Sequence, residues 1–463
     1  VMLALAGVLG TSAAGVAEAA PPLEWKSCGG ALPVEMECAT LDVPVDWEGP
    51  QGRKIALELA RAKATGARAG AVVLNPGGPG NSGTGALSRS LAHFTELRRQ
   101  FDVVTWNPRG GGATRDLPEV CYRTGPRFET PRTRDEFDRV VREGRAAVDR
   151  CRAADRELVD HVDSRTNARD LDAIRAALGE PELNYLGNSY GGVIGASYAR
   201  VFPGRVRTMF LDSIVDHVSD FEVVERQQYQ QSERAFAGLA DWCATTPSCK
   251  QHGQDLGAAW RALLAAADLS PIPARGSVPQ ATYDGDRLVF AGSVLALNPE
   301  LWQKFSDALE QARNGDAALF HEYAGGRQPM APSAGVAMEC ADGVAFRDYE
   351  DYEAALARGA ELSPNFPGLY ATRELMCTSW TGPVANPRGP LPPGLPPMFG
   401  TGGWREFESV QNVLSQVPGS VGVKFDGPQH GLYLNEADKC VIGHADRYFT
   451  DRALPPAGTA CPG

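Results

Sequence analysis

Basic residues are in short supply: 45 Lys and Arg stand against 57 Asp and Glu, a formal charge of −12. No Lys/Arg cluster offsets that balance, so a polyphosphate backbone would be repelled and nucleic acid is excluded as a partner. An acidic surface mainly keeps a protein soluble. Beyond the first residues no stretch is apolar enough to supply the ~20 residues of a membrane span. C-x-x-C is absent and no close Cys/His cluster occurs, which removes the spacing of a structural zinc site. The glycine-rich segment "NPGGPGNSG" (75–83) contains no lysine, so it does not read as a phosphate-cradling loop. There is no internal repeat. Between positions 392 and 420 there is no aspartate, an absence that returns below.

What is present is ordinary in bulk. Of 463 residues, 43% are hydrophobic and 22% charged, as in soluble globular proteins, and the length suits one large domain with an insertion or two domains. Residues 1–20, "VMLALAGVLGTSAAGVAEAA", read as the hydrophobic part of a truncated secretory signal peptide, with Ala17-Glu18-Ala19 as its cleavage site. The apolar run gives way to small residues too soon for a transmembrane anchor, and no cysteine follows the cleavage site to carry a lipid. Ten cysteines fall into sequence-local pairs, expected as 28–38, 121–151, 243–249, 340–377 and 440–461. An even, pairable set argues for an oxidising compartment and against a catalytic cysteine.

Strand-like and helical runs alternate over residues 21–216. "IALELARA" (55–62), "AVVLNP" (71–76) and "FDVVTWNPRGGG" (101–112) read as strands or strand–loop units. "SRTNARDLDAIRAALGEP" (164–181) reads as a helix capped by Thr166 or Asn167 and stopped by Gly179 and Pro181. A strand at 183–187, a serine turn, a helix at 192–201 and a strand at 206–213 follow. This alternation predicts a mostly parallel sheet covered by helices on both faces. Residues 217–375 are rich in helical runs and poor in strands, which predicts an inserted helical cap. From 376 to 463 strand signals return, with a strand at 421–427 and a closing helix from 437.

The chemistry-bearing residues stand at the ends of these strands. Gly187-Asn188-Ser189-Tyr190-Gly191 fits G-x-S-x-G, with a strand before it and a helix after it. Small residues two before and two after the serine allow a turn sharp enough to lift its hydroxyl above the sheet edge. The same turn aims the Tyr190 N–H at that spot. A second N–H for a developing oxyanion is expected from Gly77 or Gly78, since Pro79 has none to give. His430, in "FDGPQHGLY", follows a late strand, which gives the Ser…acid…His order of an α/β-hydrolase and assigns it the proton transfers.

Together "LNPGGPGNSG", "FDVVTWNPRGGG", "NARDLDAIRAALGEPELNYLGNSYGG", "ARVFPGRVRTMFLDSIVD" and "FDGPQHGLYL" resemble the secreted tripeptidyl aminopeptidases of actinobacteria, α/β-hydrolases related to prolyl aminopeptidases. The resemblance covers most of residues 22–463 and is weakest in the cap. It implies an extracellular serine exopeptidase that releases short peptides, often tripeptides, from free N-termini. It implies Ser189 as nucleophile, His430 as base, and no metal or cofactor. Peptides would be the substrates and the protein a monomer. "AMECADG" (337–343) matches a family-like segment of the cap, so Glu339 and Asp342 are the expected contacts for the substrate's ammonium.

The departure from the family lies at the acid. The family's strand and Asp-Pro-x-Thr-Pro should precede the histidine strand, yet counting back from "VPGS" the aspartate falls on Gly402 or Gly403. Glu406 is the nearest carboxylate in register. Asp212, at the end of the 206–211 strand, and Glu408 are the alternatives. Two other readings stay open: a secreted esterase or amidase on the same scaffold, and a catalytically weakened homologue that binds peptides.

Overall fold

The structure is a computed structural model that describes residues 23–111, 116–122, 130–324, 334–343 and 345–463. The expected signal peptide over residues 1–20 lies outside the described residues. Ten strands form one sheet among them: β1 (Lys26–Ser27), β2 (Met36–Pro44), β3 (Lys54–Ala62), β4 (Gly70–Asn75), β5 (Phe101–Trp106), β6 (Leu183–Asn188), β7 (Val206–Asp212), β10 (Phe399–Gly402), β11 (Val421–Asp426) and β12 (Ala460–Pro462). Two short strands, β8 (Ile272–Ala274) and β9 (Ala281–Tyr283), form a separate hairpin. The main order is β1-β2-β3-β5-β4-β6-β7-β10-β11-β12. β1, β2 and β3 pair antiparallel to their neighbours, and all pairings from β5 to β12 are parallel.

The central strands are apolar at nearly every position because both faces of the sheet are covered. In β4, Ala71 and Val73 enter one core while Val72 and Leu74 enter the other. The first core receives Leu171 and Ile174 from the helix Ser164–Ala177, Ile194 and Tyr198 from Gly191–Val201, and Val410 and Val413 from Phe407–Leu414. The second receives Leu87 from Gly83–Ser90 and Val441, Tyr448 and Phe449 from Lys439–Asp451. The expected layered sheet is therefore present.

Among the described residues between β7 and β10, none adds a strand to that sheet. Helices such as Phe221–Thr245, Leu256–Leu269 and Trp302–Arg313 gather around a core of their own, with Trp260, Phe305 and Phe320 at its centre. All five expected disulfides are formed and no cysteine is free. No helix of the described residues is long and apolar enough to cross a membrane.

One local expectation needs correction. The helix Ser164–Ala177 is capped by Asp163, whose side chain accepts the Thr166 N–H, so Thr166 lies inside the first turn. "MECATLDVP" (36–44) is a full strand held along its length by β3. β10 begins just after the prolines at 393, 396 and 397, because β7 and β11 flank Phe399–Gly402 and draw it into register.

Candidate active site

The site lies where β6, β7, β10 and β11 end, at the carboxyl edge of the parallel sheet. Ser189 follows β6 directly and adopts φ 54°, the left-handed region that costs a residue with a Cβ. The turn is held from both sides. Ser189 N–H donates to the Asp212 carbonyl at 3.0 Å, and the Ser189 carbonyl accepts Gly192 N–H at 3.0 Å and Val215 N–H at 3.2 Å. Glycine at 191 is required by packing, since a Cβ there would sit 2.8 Å from the Asn75 carbonyl oxygen. The serine thus sits at the N-terminus of the helix Gly191–Val201, whose positive end favours developing negative charge.

The loop after β4 closes over this turn. A Cβ on Gly77 would lie 2.8 Å from both Ser189 Cβ and Tyr190 N, so only glycine lets the loop come this close. Gly77 N–H, however, donates to Asn75 Oδ1 at 2.9 Å. Of the two expected loop donors, Gly77 N–H is therefore engaged within its own loop.

His430 arrives from the loop after β11, and that loop is hung from the end of β7. Gly431 N–H donates to Ser213 Oγ at 3.0 Å. Leu432 and Tyr433 N–H donate to the two oxygens of Asp212 at 3.1 and 2.8 Å. A Cβ on Gly431 would sit 2.8 Å from Asn188 Oδ1, which places this loop against the residue preceding Ser189. His430 Nδ1 stands 3.4 Å from Glu406 Oε1. Burial pulls the imidazole's pKa down, but the Glu406 carboxylate, with Asp212 behind it, more than offsets this and leaves it above the ordinary 6.5.

The three possible acids therefore have different partners. Glu406 faces the imidazole, with Arg405 Nε 3.8 Å from the same oxygen. Asp212 is fully buried and its carboxylate is taken by the two loop N–H groups and Ser213 Oγ; burial lifts its pKa to about 6. Glu408 turns to the insert instead, pairing with Arg234 at 2.7 Å and accepting from Gln231. The structure brings Glu406 to His430 and does not bring Glu408.

The reason no side chain occupies position 403 is steric. A Cβ there would stand 2.6 Å from the Gly427 carbonyl oxygen and 2.8 Å from that of Gln429. Trp404 N–H donates to the same Gly427 oxygen at 2.8 Å. The loop carrying His430 thus leans on Gly403, and the longer glutamate three residues on reaches across to the imidazole.

Beside Tyr190 lies a cavity of about 50 Å³, bordered by Val193, Val215, Tyr370, Glu339 and Glu374. Glu339, on the helix Ala334–Ala341, is buried and borders this cavity. Asp342 borders it too, but both of its oxygens are already filled: Ser164 N–H, Ser164 Oγ, Tyr190 Oη and Asn386 Nδ2 all donate to it within 3.0 Å. It is not placed to receive an ammonium, because no acceptor position is left. Glu374 was not anticipated. The Cys340–Cys377 disulfide was the available signal, since it clamps the helix Ala371–Thr378 against Ala334–Ala341 and so draws Glu374 toward Glu339. Among the described residues, the grouping that could hold a metal ion is Cys440, His444 and Cys461, and its two sulfurs are joined to each other.

Comparison with known proteins agrees with the fold. A profile of the alpha/beta hydrolase fold matches residues 70–291. The chain is 31% identical to "Serine protease Hip1" of Mycobacterium tuberculosis, over 95% of this chain and 91% of that protein. It is 26% identical to "Tripeptidyl aminopeptidase" of Streptomyces lividans, over 95% and 86%. It is also 30% identical to "Carboxylesterase B" of M. tuberculosis, over 96% and 90%.

Proposed function

Because the chain belongs to the α/β-hydrolase family of serine peptidases, we propose that it is an exported exopeptidase releasing short peptides, tripeptides first among them, from free N-termini. The observation that carries this reading is the pairing of His430 Nδ1 with Glu406 on loops that converge on the strained Ser189 turn. Ser189 Oγ attacks the scissile carbonyl while His430 Nε2 takes its proton. The oxyanion is received by the N–H groups of Tyr190 and Gly78. The imidazolium then gives its proton to the leaving amine, and a water activated by the same imidazole hydrolyses the acyl-enzyme. Glu406 holds the Nδ1–H and stabilises the imidazolium.

The helical insert, residues 217–375, serves as a cap in this reading. Glu339, buried beside Tyr190, receives the substrate's ammonium, which fixes how far the chain extends before the cut. Five disulfides suit an extracellular enzyme.

The test is a pair of substrates: a tripeptide anilide with a free N-terminus and its N-acetyl twin. Only the free form should be cleaved. Glu339→Gln should raise KM for that form about 10- to 100-fold, the worth of one charge-assisted hydrogen bond, with a smaller change in kcat. Equal cleavage of both substrates would sink the reading. The identity to a carboxylesterase favours a second one, an esterase or amidase, which a preference for short acyl esters would select. The weakened, peptide-binding alternative rested on the missing aspartate, and the carboxylate of Glu406 beside His430 supports an active site instead.

A further inference from the structure

One buried carboxylate of the insert reaches past the cavity and into the serine turn. Asp342 follows the helix Ala334–Ala341 and is 1% exposed. Its Oδ2 accepts Ser164 Oγ at 2.5 Å and Tyr190 Oη at 2.7 Å; its Oδ1 accepts Ser164 N–H at 2.8 Å and Asn386 Nδ2 at 3.0 Å. An ionised carboxylate has about four acceptor positions, so the group is saturated by four donors. Ser164 opens the core helix Ser164–Ala177, and Tyr190 is the residue after Ser189. The Tyr190 ring packs against Val193 of its own helix and Met338 of the insert. Both the ring and its hydroxyl are therefore gripped, and the peptide N–H of the same residue lies against Gly77 beside Ser189.

We propose that Asp342 is a positioning residue that locks Tyr190, and with it the oxyanion donor, so that a productive serine turn depends on the insert being seated. The proposal rests on the reading of Ser189 and Tyr190 given above. It also assigns Asp342 a role distinct from ammonium binding. The surroundings hold it in place. Neutral His217, whose pKa burial and the nearby Arg388 and Arg200 push down to about 3, donates Nε2–H to the Asp342 carbonyl at 3.1 Å. Arg200 donates to His217 Nδ1 at 2.9 Å and to Asn386 Oδ1 at 3.3 Å. The Cys340–Cys377 disulfide fixes the backbone two residues away.

Saturation has a chemical consequence. Protonated, the carboxyl gains a donor and loses an acceptor position, so one of the four donors must turn away; the two hydroxyls, which rotate freely, are the ones able to do so. Of the charged groups facing it, Asp163 disfavours the carboxylate and Arg200 favours it, while Glu339 stands three residues back on the same helix. Burial, then Asp163, lifts the Asp342 pKa to about 7. Loss of the lock and protonation of His430, whose pKa stands above 6.5, both act on the acid side of the rate profile and together steepen it.

The test compares wild type, Tyr190→Phe and Asp342→Asn on the free tripeptide anilide, with hydrogen exchange followed across residues 187–195. Tyr190→Phe removes only the hydroxyl and keeps the packed ring. It should lower kcat about 10-fold, below the full loss of an oxyanion donor, and leave KM within about 2-fold. The acid limb of the kcat–pH profile, steepened in the wild type by a further drop of up to that same 10-fold, should flatten in Tyr190→Phe to the limb of a single ionisation, with a slope of at most one. Exchange should quicken in 189–195 and not in β4 or in β6, residues 183–188. Asp342→Asn should show the same pattern more strongly. Wild-type kcat, slope and exchange in Tyr190→Phe would overturn the proposal, as would a uniform rise in exchange that tracks the loss of activity. Should Ser189→Ala keep its activity or its labelling by a fluorophosphonate, the reading of the site fails, while the exchange data still decide whether the lock exists.

Discussion

Glu406→Gln is expected to lower kcat by about 10⁴-fold, the loss seen when the acid of a serine hydrolase triad is replaced by its amide. The cause is specific. With the carboxylate present, Glu406 can accept the Nδ1–H of His430 and hold the ring in the tautomer that leaves Nε2 free to take the serine proton. The amide carries no charge to stabilise the imidazolium and can present its N–H₂ where an acceptor is needed. The pH profile supplies a second readout. The reaction needs neutral imidazole, and the folded protein holds the His430 pKa above 6.5, so wild-type activity should reach half its maximum above that pH. Removing the negative partner lets burial dominate, so the residual activity of Glu406→Gln should have its acid limb displaced to lower pH. Steady-state kinetics between pH 5 and 9 would show both effects. An unchanged limb with unchanged kcat would mean that the imidazole has another partner. Restoring an aspartate does not compensate. Gly403→Asp should fail to rescue Glu406→Gln and should cost about 1–3 kcal/mol of stability in a denaturant melt, because its Cβ meets two backbone carbonyls that cannot rotate aside.

Ser189→Ala has the larger expected effect, about 10⁶-fold in kcat, with the remainder owed to binding and the oxyanion donors. The fold should not suffer, since the elbow is held by the backbone bonds of residue 189 to Asp212, Gly192 and Val215. A fluorophosphonate should label the wild type at one residue and leave the variant unlabelled. Cleavage that survives in the variant would place the nucleophile elsewhere.

How far these residues could be read in the sequence depended on whether their setting was local. Ser189 was legible because its turn is written in five consecutive residues between a strand and a helix. His430 was legible for the same reason, as a histidine and glycine following a strand. The core alternation of β4, β6 and β7 was carried by apolar runs that need no distant partner to be recognised. The acid was different. Its identity depends on how the loop 403–406 leans against 427–430, and no count of residues contains that contact. Asp342 was noticed as a carboxylate in the right segment, but its partners Ser164 and Tyr190 are 178 and 152 residues away. The ammonium role followed from its charge and from the family-like segment that holds it, while its neighbours are set by the packing of elements far apart in the chain. β10 was hidden by its composition, two glycines next to prolines, and is extended only because strands on either side supply its hydrogen bonds.

Gly403 also limits how the site could be rebuilt. The family resemblance expects an aspartate at 402 or 403, but at 403 its Cβ would need the space that the Gly427 and Gln429 carbonyls fill. No single substitution at 403 installs a carboxylate there, since the side chain fits only once the neighbouring loop withdraws.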